Sequence, residues 1–324
     1  MSNPNYNTVL TTTIENRRRV LADNVTKNVA LLMRLKEKGN TDPVSGGTKI
    51  LEEIEYQAAG GFGWYSGYDA LTIAPREHAT AAEFAIKEAY VGVIISGLEQ
   101  AQNRGKERMI PLLKSKIKNA EKEMINTLGA AVYGDGTAAG GKSIGGLQLL
   151  ISASPATGTV GGINAATNAY WRNQSFRSTT DFGAAATSAN IISQMGRVYT
   201  GLIRGTDKPD FIAVDNNVFN LLSDALSDRQ VVASGKMAEA GFQVLKFRGS
   251  DVLLDGGMDG SMPANTAYFI NSDYLHYRPM EGYDMYPLRS DVEKLDQDAV
   301  ASLIGWKGNM TISGRKFHAV LNIT

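Results

Sequence analysis

The stretch GTAAGGKS at residues 136–143 fits G-x-x-x-x-G-K-[ST], the loop that wraps nucleotide phosphates. Such a loop works by geometry. A buried strand leads into the glycine turn, the loop amides cradle the phosphates, and a helix opening at the Lys-Ser pair aims its N-terminus at them. Here the order of elements opposes that chemistry. The residues before the motif carry a helical pattern that ends near 129–133, and those after it, IGGLQLLIS, place two glycines in what would be the first helical turn. Each glycine there costs about 1 kcal/mol against alanine. FIAVD at 211–215 and VLLD at 252–255 each look like a strand ending in a magnesium-binding aspartate, but Asp215 also reads as the N-cap of the helix after it. In a chain with 34 glycines a chance match carries little weight. A P-loop nucleotide triphosphatase using 136–143 is the less favoured reading, and Lys142 is expected on a connecting turn.

Other candidate chemistry is weaker. His78, His276 and His318 lie far apart, and none has a ligating partner two to four residues on. DVLLDGGMDG at 251–260 clusters aspartates without the calcium-loop spacing or its closing glutamate. Glu52 and Glu53 alternate across a strand, so adjacency cannot make them an acid/base pair. There is no cysteine, hence no disulfide or thiolate site. No catalytic residue, metal site or cofactor is expected. Lys+Arg and Asp+Glu number 33 each, which excludes a bulk positive field for holding DNA and leaves self-association unopposed. MSNPNYNTVLTTT is unlike a signal peptide, and the apolar run YVGVIISGL at 90–98 is about half a membrane span. The expectation is a soluble intracellular product with no membrane partner.

These residues must be carried by a recognisable series of elements. Val20, Val25, Val29, Leu32 and Leu35 predict an amphipathic helix over 13–37, with Arg17, Arg18 and Arg19 on it. TKILEEIEY alternates, placing Ile50, Ile54 and Tyr56 on one face, and AEFAIKEAYVGV alternates again. Between them lies a tip rich in glycine and aromatics, with Phe62, Trp64 and Tyr65. A two-stranded arm of this kind has little core of its own, so it is expected to rest on a neighbouring subunit. Residues 106–132 form the clearest helix, with Ile110, Leu113, Ile117, Ala120, Met124, Leu128 and Ala131 in one stripe and Pro111 in its first turn. A glycine-rich zone follows at 134–162. Then come a helix at 187–204, the buried strand FIAV with a helix behind it, and strands to the C-terminus.

Four stretches carry a resemblance: the long helix running into NTLGAAVYGDGT, GGLQLLIS with GTVGGINAATNAYWRNQ, KPDFIAVDNNVFNLL, and NTAYFINSDYLHYRPMEGYDMYPLR. With the order of elements, they resemble the major capsid protein of tailed bacteriophages, which has the Hong Kong 97-type fold, an α+β architecture. The resemblance implies an N-terminal arm at 1–44, an extended β-hairpin loop at 45–95 lying over the adjacent subunit, a peripheral domain at 96–134 and 286–324 holding the spine helix, and a mostly axial domain at 135–285. It implies pentamers and hexamers of this chain in an icosahedral shell, enclosing double-stranded DNA held nonspecifically. Ile50, Ile54, Tyr56, Phe62, Trp64 and Tyr65 would be hairpin contacts between subunits, and Arg17, Arg18 and Arg19 contacts to DNA or to a neighbour. The other partners implied are a separate scaffolding protein, since no scaffolding region precedes the hairpin, a portal protein and a decoration protein. Assembly would take place in the host bacterial cytoplasm and the product would be the virion capsid. Covalent cross-links between a Lys and an Asn of different subunits occur in some members, and Lys49 is available for one. The shell protein of a bacterial nanocompartment, which shares the fold, is the alternative.

Overall fold

A computed structural model describes residues 29–57, 62–70, 77–102, 106–226, 244–255, 262–293 and 299–324, with backbone alone at 100–102, 106–114, 289–293 and 299–300. Two sheets organise it. A six-stranded mixed sheet runs in the order Gln174–Arg177, Ala319–Asn322, Thr266–Ile270, Phe211–Val214, Ser250–Leu254, Val244–Phe247. Its middle strands FIAV and TAYFI are buried at every residue, so they read as continuous apolar runs without alternation. The helices Ile191–Gly201 and Asn216–Leu226 bury Met195, Val198, Val218 and Leu222 with this sheet in one core.

A four-stranded antiparallel sheet is built on Ala299–Ile312, which pairs with Leu275–Pro279, Tyr286–Glu293 and Lys87–Ser96. The long helix, Lys106–Tyr133, packs on Lys87–Ser96. Its buried stripe holds Ile117, Ala120, Met124 and Leu128 as the spacing predicts, while the side chains of Ile110 and Leu113 lie outside the described set. Pro111 is its sixth residue, beyond the first turn where it was expected, and costs the helix one backbone hydrogen bond there. Two short connections cross directly between the sheets, Asn271–Tyr274 and Ser313–His318, and the rings of Tyr274 and Phe317 stack there at 4.2 Å.

Lys49–Glu55 and Ala79–Ala85 form the hairpin, in register from Lys49↔Ala85 to Glu55↔Ala79. The alternating run expected as one strand through residue 93 divides at Ile86. The first part pairs in the hairpin and Lys87–Ser96 joins the four-stranded sheet, with Asn309 Nδ2 donating to the Ala85 carbonyl at 2.8 Å beside the switch. The helix expected over 13–37 is Ala30–Lys38 among the described residues, ending at Gly39 in the left-handed region with φ of 81°. Residues 13–28 lie outside them.

Candidate assembly surface

The inner face of the hairpin strands is already covered by its own chain. Ile50, Ile54, Ala82 and Phe84 are buried in the main core. Glu52, between the two isoleucines, is buried as well. Its carboxylate accepts from Arg278 Nε at 3.0 Å and from Thr311 Oγ1 at 2.6 Å, and Arg278 Nη1 also donates to Asp42 at 3.0 Å. Beneath the second strand, the Glu83 amide donates to the Gly161 carbonyl at 2.9 Å. A Cβ at Gly161 would stand 2.8 Å from that of Ala82, so only glycine allows this approach. Tyr56 stacks on Tyr170 with ring centroids 4.7 Å apart. Ile50 and Ile54, expected against a neighbouring subunit, therefore pack within their own molecule, and Tyr56 is half-buried there. Alternation identifies a buried face but not what buries it.

The tip differs. Phe62 is 83% exposed, Trp64 92%, Tyr65 68% and Tyr68 fully so. The aromatic contact recorded there is internal, Phe62 edge-on to Trp64 at 5.5 Å. On the outer face of the strands Leu51 is exposed beside the Lys49–Glu83 ion pair. Tyr90 and Ile94 form a second exposed apolar patch on Lys87–Ser96. Arg17, Arg18 and Arg19 lie outside the described residues.

GTAAGGKS follows the long helix directly and folds into a single exposed turn at Ala138–Gly141. Its amides are engaged locally: Thr137 N–H donates to Asp135 at 2.9 Å, Gly141 N–H to the Thr137 carbonyl at 2.9 Å and Ser143 N–H to the Ala138 carbonyl at 3.3 Å. A phosphate cradle needs such amides free and a strand leading in. Sequence reading passed over a second pattern here, Gly141-Lys142-Ser143-Ile144-Gly145, which has the spacing of a nucleophile elbow. No strand precedes it, and no base reaches the buried Ser143 Oγ, which has no hydrogen-bond partner in the described structure. The two aspartates with a magnesium reading act as caps. Asp215 accepts from the Asn217 amide at 3.4 Å and the Asn265 amide at 2.9 Å. Asp255 receives the Tyr133 hydroxyl and the amides of Ala30 and Leu31 at the start of the arm helix, and burial raises its pKa against these hydrogen bonds.

NAYWRNQ serves the crossing between the sheets. Trp171 Nε1 donates to the Val160 carbonyl at 2.8 Å, and the Asn173 side chain bonds Ser152 in both directions, at 3.0 and 2.8 Å. Arg315, fully buried, donates to the Leu150 carbonyl at 2.8 Å, the Trp171 carbonyl at 3.0 Å and Asn173 Oδ1 at 3.1 Å. These three acceptors are all uncharged oxygens, and burial pulls its pKa down to about 10. His318 beside it is also buried. Its Nδ1 accepts from the Asn271 amide at 3.3 Å, and burial pushes its pKa down to about 3, so the ring is neutral. A second histidine, His276, has its pKa lowered by burial despite the nearby Glu52. Among the described residues no group of His, Asp or Glu could hold a metal, and no helix is long and apolar enough to cross a membrane.

No protein-family profile and no curated protein matches the sequence. Solved structures do. The chain is similar to the capsid asymmetric unit of cyanophage A-1(L), with a TM-score of 0.65 and 17% identity over 89% of this chain and 92% of that one. The capsid of a native GTA particle gives 0.62 and 12% identity over 90% of each chain. The SrpI encapsulin of Synechococcus elongatus PCC 7942 gives 0.53 and 10% identity, over 90% of this chain and 87% of that one. At such identities the likeness defines the fold, and it spans nearly the whole molecule. This chain has the α+β Hong Kong 97-type capsid fold.

Proposed function

We propose that this chain is the major capsid protein of a tailed bacteriophage. It assembles as pentamers and hexamers into the icosahedral shell that encloses the double-stranded DNA genome. The observation that carries the reading is the fold itself, similar over nine-tenths of both chains to the capsid of cyanophage A-1(L). The exposed aromatic tip supports it, because four large rings in solvent on one loop serve a surface that another copy covers. The role is structural, with no catalytic residue and no cofactor. The arm at 1–44, the hairpin, the spine helix with the C-terminal strands, and an axial region over roughly 135–285 are the working parts. Phe62, Trp64 and Tyr65 are contacts between subunits, and Arg17, Arg18 and Arg19 face packaged DNA or a neighbouring subunit. A scaffolding protein, a portal protein and a decoration protein are its further partners, in assembly in the host cytoplasm and in the virion.

The similarity to an encapsulin favours one second reading, a nanocompartment shell that encloses protein cargo. The contents of native particles separate the two. Particles that protect double-stranded DNA of genome length from nuclease support the capsid. Particles that enclose only protein refute it.

A further inference from the structure

An open cleft of about 390 Å³ lies where the chain crosses between its sheets, against the tip-ward end of the first hairpin strand. Its aromatic lining is the stacked pair Tyr56 and Tyr170 and the stacked pair Tyr274 and Phe317. Exposed charges of both signs flank it, Glu53 and Glu55 from the hairpin strand, Arg204 from a turn and Lys316 from the short 3-10 helix Arg315–Phe317. Arg204 stands 6.0 Å from the centroid of the Phe317 ring. Arg315, fixed by three acceptors, and Trp171 are buried beside it, so the cleft is held open by a rigid frame. We infer that this cleft is the seat of the aromatic hairpin tip of a second copy of this chain, with Trp64 entering it. The inference rests on the capsid reading and names the receiving site.

The chemistry of the two surfaces matches. The tip presents flat rings with no partner outside the tip among the described residues, and the cleft presents flat rings with a cation beside them. The volume accepts one indole, leaving Phe62, Tyr65 and Tyr68 to cover the lips. Four aromatic side chains, at about 150–250 Å² each when fully buried, set an upper bound of roughly 600–1,000 Å², against about 800 Å² per partner in a stable interface. Tip and cleft are different patches of one molecule. Their contact is therefore head-to-tail, the type that generates rings when the rotation closes.

The sequence has no cysteine, so a designed pair reports one contact without background. Tyr65→Cys combined with Lys316→Cys is oxidised after assembly and run on a denaturing gel. Tyr65→Cys with Ile94→Cys, on the other exposed apolar patch, is run beside it. A ladder of covalent multimers ending at five or six chains is expected from the first pair only. A disulfide confined within single chains, no disulfide, or a ladder only from the Ile94 pair would overturn the assignment. The gel is read on whatever assembly the protein forms. Electron microscopy of the same samples keeps the two readings apart. Shells without the ladder refute the cleft alone, whereas absence of shells from the parent protein refutes the capsid reading. Trp64→Ala should raise the protein concentration needed for assembly at least tenfold, and Trp64→Phe should restore most of it.

Discussion

Arg315→Met removes the buried cation at the crossing while keeping much of its volume. Three guanidinium hydrogen bonds are lost, at about 1.5–3 kcal/mol each, or roughly 5–9 kcal/mol together. Burying the charge is itself unfavourable. The fall of its pKa from 12.5 to about 10 corresponds to about 3 kcal/mol that the methionine recovers. The net loss is on the order of 2–6 kcal/mol, with the carbonyls of Leu150 and Trp171 left short of a donor. At about 2 °C per kcal/mol for a chain of this size, the midpoint should fall by about 4–12 °C. The assay is thermal unfolding of the unassembled protein, followed by circular dichroism at matched concentration. Arg315→Lys, which can serve one acceptor at a time, should fall between. A midpoint within about 1 °C of the parent for Arg315→Met would refute the view that this cation holds the crossing together.

Three further outcomes are expected, two from the structure and one from the basic run in the sequence. His318 is protonated in the unfolded chain below about pH 6.5 but in the fold only near pH 3, so the stability it confers is complete above pH 6.5 and is lost as pH falls between those values. In His318→Phe the midpoint should depend less on pH between 7.5 and 4, with a constant loss of about 1–3 kcal/mol for the unpaired Asn271 amide, and an unchanged pH profile would contradict this. Replacing residues 57–80 by a short Gly-Ser turn should leave a folded monomer that forms no shells, because the strands keep their own cover from Ile50, Ile54 and Phe84, whereas an unfolded product would place the tip in the core. Replacing Arg17, Arg18 and Arg19 by Gln should leave empty shells able to form but less stable once filled with DNA, and shells that fail to form without DNA would assign the run to a contact between subunits.

Period and turn chemistry made much of this fold readable. The stripe from Ile117 to Leu128 gave the long helix, continuous apolar runs gave FIAV and TAYFI, and Asp215 announced the helix it caps. What was hidden depended on partners distant in sequence. The alternation of KILEEIE showed that Ile50 and Ile54 are covered, but the cover is Phe84 and the rest of the main core, which no local pattern reveals. The strand from 79 to 96 changes partners at Ile86 with no glycine or proline to mark it. Arg315 in SGRKF has the sequence environment of a surface arginine, and only the carbonyls of Leu150 and Trp171, far back in the chain, make it a buried one. The tip was legible as a surface, because its rings have too few neighbours to cover them. The cleft was not, since its walls come from five separate segments.

The central claim is that this molecule closes on copies of itself into a shell. Electron cryomicroscopy of the purified protein, alone and with the proposed scaffolding protein, tests that most directly. The account predicts closed icosahedral particles whose hexamers and pentamers accept this chain in its present fold, each hairpin tip lying on the adjacent subunit. Monomers or open aggregates under both conditions, or shells in which the tip contacts only its own chain, would contradict it.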